Sequence, residues 1–197
     1  KEPERKFFTP ALILFWASMF FFYGSYNASS YILPLRLSEL GFLNQDYSLA
    51  RAIAVVVELV LLLLMPFLTK RLVNKKIALY IGFSFILIAT ASAGFLAEPW
   101  SLAYINLVLG HVGKAFLFAF QALWLVEIVG KKNLSKALTV NTGGINLMSA
   151  GMNLLSSTLH QAWGFQGYFG LLAGLEALGL VLLIPAKESA PSPMAAE

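Results

Sequence analysis

The stretch AIAVVVELVLLLLMPFL, residues 52–68, decides the fold. As a helix rising 1.5 Å per residue it reaches about 26 Å, close to the ~30 Å hydrocarbon core of a bilayer. A single ionisable side chain, Glu58, interrupts it. A second such run, SLAYINLVLGHVGKAFLFAFQALWLV at residues 101–126, carries His111 and Lys114 one helical turn apart. An ionisable group at membrane depth costs about 2.5–3.5 kcal/mol on insertion scales. Such groups therefore face a partner or a water-filled path, and they are the first pointer to function.

Composition agrees with this view. The chain of 197 residues is 58% hydrophobic and 12% charged, with a mean hydropathy of +0.74. Soluble domains are about 25% charged, so the fold class expected is an all-α, multi-pass membrane protein. The net charge of +4 is gathered in short blocks between apolar runs. That placement marks membrane topology and gives no basic face for nucleic acid. The absence of cysteine excludes disulfides, thiol catalysis and thiolate metal sites. No HExxH, GxSxG or Walker-type loop occurs, so neither catalytic residues, nor a metal, nor a cofactor is expected.

Six membrane spans are expected, at Phe8–Leu33, Tyr47–Leu68, Ile77–Leu96, Ser101–Val129, Leu134–Ser157 and Tyr168–Pro185. Pro34 is expected to close the first. The bundle would occupy residues 1–186, with 187–197 a polar, disordered cytoplasmic tail. Lys1, Arg5 and Lys6, then Lys70, Arg71, Lys75 and Lys76, then Lys131, Lys132 and Lys136 fall in alternate loops. By the positive-inside rule both termini are cytoplasmic, and the location expected is a cell membrane, inner or plasma.

The spans carry polar stripes at helical spacing. Tyr23, Tyr26, Asn27 and Ser30 share a face of the first, and Thr142, Asn146, Ser149, Asn153 and Ser156 share one of the fifth. His111, Lys114, Phe118 and Gln121 form a stripe in the fourth that Trp124 extends, and Arg51 and Glu58 lie on one face of the second. Such residues either line a cavity or simply hydrogen-bond a neighbouring helix, at under about 1–2 kcal/mol. Glu58, His111 and Lys114 together favour function. If Glu58 faces Lys114, both stay charged. A carboxyl buried without a partner would instead carry a proton. Glu176, within LLAGLEALGLVLL, either pairs with another span or is protonated against lipid, and its role is structural or unknown; Glu127 is expected to pair with Lys131 four residues on.

Four stretches carry a resemblance to a known family: LPLRLSELGF (33–42), VVVELVLLLLMPFLTKRLVNKKIAL (55–79), LWLVEIVGKK (123–132) and WGFQGYFGLLAGLEALG (163–179). Together they resemble the carboxy-terminal six-helix half of a major facilitator superfamily transporter, in the lactose permease and sugar efflux branch. MPFLTKRLVNKK is similar to that superfamily's basic loop motif. Lys70, Arg71, Lys75 and Lys76 hold its basic positions, and Val73 and Asn74 stand where glycine is usual. The resemblance implies half of a twelve-helix fold, built of two inverted three-helix repeats and completed by an amino-terminal half. It implies alternating access for a small polar solute, a sugar or related compound. Efflux of drugs or other metabolites by the same fold, or a non-transporting scaffold, are the other functions considered.

The resemblance also assigns residues. Glu58 matches a sugar-binding glutamate of the eighth helix. His111 matches a histidine of the binding and proton-coupling network, so Glu58 and His111 are the proton-coupling candidates. Lys114 stands where the branch has its coupling carboxylate. Tyr23, Asn27, Glu58, His111, Lys114, Gln121, Trp124 and Asn146 form the expected solute site.

Overall fold

A computed structural model describes residues 7–71 and 74–186. Lys1, Arg5, Lys6, Val73 and the tail from Lys187 thus lie outside the described residues. Among the described residues the regular elements are α1 (Pro10–Glu39), α2 (Asn44–Arg71), α3 (Lys75–Phe95), α4 (Pro99–Val129) and α5 (Leu134–Leu183), with a 3-10 turn at Lys131–Asn133. Side-chain caps start three of them by satisfying backbone N–H groups that a helix leaves unpaired. Thr9 accepts from Leu12 at 3.2 Å, Asn74 from Ile77 at 3.1 Å and Glu98 from Trp100 at 3.1 Å. Hydrogen bonds from Ser101, side chain first and then backbone, hold the exposed Glu98 carboxyl below its ordinary value.

All five elements are long and apolar enough to cross a membrane, where six spans were expected. The difference lies in α5. Its 50 residues would run about 75 Å if straight, more than twice the hydrocarbon thickness. Gly164 breaks it, with φ 65° and ψ −178°, a conformation that costs glycine little and other residues much. Two helices therefore meet there, a first arm (134–163) and a second arm (165–183). The hydroxyls of Ser156 and Tyr168 lie 2.6 Å apart, although twelve residues of straight helix would separate them by about 18 Å. The arms fold back on each other, and a one-residue reversal replaces the loop expected between Ser157 and Tyr168.

The first span also differs from expectation. α1 continues through Pro34 to Glu39. Proline removes one backbone donor, but the turn beyond it is anchored by Leu37, which is buried, and by the Phe42 N–H donating to the Leu37 carbonyl at 2.9 Å.

The helices pack in an exchanged pattern. α1 meets the first arm of α5 through Trp16 Nε1–H donating to the Ala137 carbonyl, 3.3 Å. It meets the second arm where a Cβ on Gly179 would lie 2.8 Å from the Ser18 carbonyl oxygen. α4 likewise packs against α2 and α3, and α3 against α5. The first helix of each three-helix set thus packs on the second and third helices of the other set, as two inverted repeats require.

Two apolar clusters fill the interior. One, containing Phe15, Met19, Phe22, Phe83, Phe120 and Trp124, lies toward the end that carries Lys75 and Lys131. The other, containing Ile32, Leu33, Phe42, Leu102, Phe165 and Phe169, lies toward the opposite end. Every helix passes from one cluster to the other, and polar residues mark the passage. α1 changes cluster between Tyr26 and Ala28, α2 between Ala54 and Leu61 around Glu58, and α3 between Ile86 and Ala93 around Thr90. α4 does so between Leu107 and Ala115 around His111, and α5 near Asn146 and again near Glu176. A polar layer therefore crosses the bundle at mid-depth.

α3 and α4 approach most closely at Gly82 and Gly113. A Cβ on Gly113 would lie 2.6 Å from the Gly82 carbonyl oxygen and 2.5 Å from Ile86 Cγ1. Gly113→Ala should thus lower the thermal unfolding midpoint of detergent-purified protein, at a cost of about 1–3 kcal/mol for overpacking. Gly143→Ala, which meets nothing within 4 Å, should leave the midpoint unchanged or slightly raised. Equal midpoints would contradict the close helix crossing.

Candidate functional site

α2 buries little of itself; only Ala50, Ala54 and Met65 are buried along it. Glu58 is the polar exception, its side chain 13% exposed and turned inward onto α4. His111 and Lys114, at i and i+3 on α4, present one face to it. With its proton on Nδ1, His111 donates to Glu58 Oε2. Lys114 Nζ lies 3.9 Å from the same oxygen and 5.9 Å from the centre of the Tyr26 ring, within cation–π range. Both partners fall on Oε2, which leaves Oε1 for a further donor.

α1 supplies the aromatic wall. The Tyr26 hydroxyl fits where Gly110 has no side chain; a Cβ there would come within 2.8 Å of it. One turn earlier, the Tyr23 hydroxyl is buried with no hydrogen-bond partner among the described residues. Asn27 Nδ2–H donates to Ser149 Oγ at 2.8 Å, and that hydroxyl donates to the Ile145 carbonyl at 2.7 Å. These bonds tie α1 to the first arm of α5 beside the charged cluster.

The remaining expected site residues sit further out. Asn146 lines a groove of about 710 Å³ along the first arm of α5, together with Ser135, Thr139, Thr142 and Gly143, and with Lys131 also on its wall. From Lys131 to Asn146 is about 22 Å along a helix, so the groove runs from the bundle's basic end to the polar layer. Gln121 is half-buried, and its Oε1 has no partner among the described residues. Trp124 lies in the apolar core, fully buried, with its ring 5.2 Å from that of Phe15. Its faces are covered by protein.

The basic residues of the loop motif are distributed over two helix ends. Lys70 and Arg71 occupy the last turn of α2, and Lys75 and Lys76 the first turn of α3. Lys75 forms an ion pair with Glu127 at the end of α4, the carboxylate that sequence alone had matched to Lys131. Lys76 Nζ donates to the Ile184 and Ala186 carbonyls, each at 2.8 Å. Together they fasten α3 to α4 and to the second arm of α5.

Sequence reasoning passed over two members of the polar layer. Thr90 Oγ1–H donates to Glu176 Oε1 at 2.7 Å, fully buried between α3 and the second arm. Asn106 Nδ2–H donates to the Ala89 carbonyl at 2.6 Å. The signal for both was spacing within apolar runs, but a lone Thr or Asn in such a run usually bonds only a neighbouring helix.

No curated protein matches the chain. A family model for the Major Facilitator Superfamily matches residues 15–196, a span that takes in all but the first turn of α1, every other helix and the whole polar layer. The chain thus belongs to the Major Facilitator Superfamily, and it is a membrane transporter protein.

Proposed function

We propose that this chain forms one half of a secondary active transporter that moves a small polar solute, a sugar or related compound, by alternating access with an amino-terminal six-helix half. The observation that carries this reading is the Glu58–His111–Lys114 cluster, set at mid-depth where two apolar clusters part. Charges there need either a partner or a wet path; these have each other as partners, and the groove along α5 ends at Asn146, at the level of the same polar layer. The groove's hydroxyl and amide groups suit a polyhydroxylated solute, which offers donors and acceptors in turn.

Within the site, Glu58 Oε1 accepts from a solute hydroxyl while Lys114 pairs with Oε2. His111 orients that carboxylate. The buried rings of Tyr26 and Tyr23 wall the site from α1, and Asn27, Gln121 and Asn146 add amide hydrogen bonds. Trp124 supports α4 from behind. The exposed apolar face of α2, with Val56, Leu59, Leu63 and Phe67, suits contact with lipid or with the other half. Both termini and the basic loops lie on the cytoplasmic side in this reading. The chemistry fits uptake and efflux equally.

Whole-cell uptake and efflux of labelled sugars by the full-length protein tests the proposal. Truncating one partner of a buried, hydrogen-bonded charge pair costs about 2–5 kcal/mol, so Glu58→Gln should reduce transport at least about 10-fold. Wild-type rates in Glu58→Gln and Lys114→Ala for every transported compound would remove the site assignment. Residual transport in Glu58→Gln should keep the wild-type pH profile, because Glu58 serves in this reading as a hydrogen-bond acceptor for the solute. A flattened profile would make Glu58 the proton carrier instead.

A further inference from the structure

Glu176 answers the description that Glu58 does not: a carboxyl buried without a charged partner. It is fully buried on the second arm of α5. Oε1 accepts the Thr90 hydroxyl at 2.7 Å, and Oε2 has no hydrogen-bond partner among the described residues. None of the described ion pairs includes it. An ionised carboxylate in this position would leave one oxygen unsolvated in an apolar interior, which is far costlier than keeping the group neutral.

Its surroundings are well defined. On the second arm it falls between Tyr168, whose hydroxyl donates to the Ala28 carbonyl at 3.1 Å, and Gly179, which packs on Ser18 and Phe22. The facing stretch of α1 therefore contains Ser25, a buried hydroxyl also without a partner among the described residues. Tyr26 lies on the same stretch of α1. The titratable groups toward the reversal are remote: Tyr168 stands about 12 Å back along the arm, and His160 packs beyond it against Phe165, ring centres 4.1 Å apart. From α3 comes the Thr90 hydroxyl alone, and Lys75 and Lys76 are held at that helix's far end.

We infer that Glu176 is a proton-binding site, separate from the Glu58 cluster. In the conformation described the carboxyl holds its proton. Release breaks the carboxyl O–H bond and passes the proton to water, and it requires a conformation in which α3 and the second arm admit water to Oε2. The Thr90 hydroxyl, by donating to Oε1, holds the carboxyl in place. Proton binding here does not rest on the function proposed above.

Infrared titration of the protonated-carboxyl C=O band, on full-length protein in lipid nanodiscs without solute, tests this directly. The wild type should show such a band at neutral pH that titrates as pH rises. Glu176→Gln, nearly isosteric, should lose it. Thr90→Val removes the hydrogen bond to Oε1 and should move the band to higher frequency. A band that persists in Glu176→Gln, one that fails to titrate before the protein unfolds, or an unchanged band frequency in Thr90→Val would overturn the inference. Because no solute is present, these outcomes leave the transport reading to its own test.

Discussion

The structure is governed by the problem of placing charge at the mid-depth of an apolar bundle. Glu58 solves it on α2 by reaching two donors one turn apart on α4, with both contacts on Oε2. α2 has few buried residues of its own, so this polar clasp does much to fix how the helix sits. Removing one member would leave the others buried and unpaired, which is the costly case for an internal ion pair.

The same constraint repeats around the bundle. Each helix changes apolar cluster at the level of a polar residue, and the resulting layer holds two unlike carboxyls. Glu58 has cationic and imidazole partners and an open oxygen. Glu176 has one hydroxyl and an orphaned oxygen. Tyr26 belongs to the first, its ring 5.9 Å from Lys114 Nζ.

Much of this was legible in the sequence. Apolar length and the basic blocks revealed a helical membrane bundle, and the positions of Glu58, His111 and Lys114 foretold that they share one depth. The family followed from loop and helix signatures spread along the chain, and the match over residues 15–196 agrees with them. Other features depended on tertiary contacts. Pro34 reads locally as a stop, yet burial of Leu37 carries α1 past it. The turn at Gly164 was hidden because any glycine permits positive φ and only packing selects which one uses it. Trp124 shares a stripe with the site but faces Phe15, since a stripe gives a direction only when the neighbouring helices are known. Glu176 had no visible partner because Thr90 lies 86 residues away in the chain.

The ion pair between Glu58 and Lys114 is the claim on which the site depends, and a double-mutant cycle measures it. Thermal stability of full-length protein would be compared for wild type, Glu58→Gln, Lys114→Gln and the double variant. Residues in one buried network couple by about 0.5–3 kcal/mol, whereas independent sites add within about 0.3–0.5 kcal/mol. A coupling above about 1 kcal/mol, with the double variant no less stable than Lys114→Gln alone, is the result this structure predicts. Simple additivity of the two substitutions would contradict it.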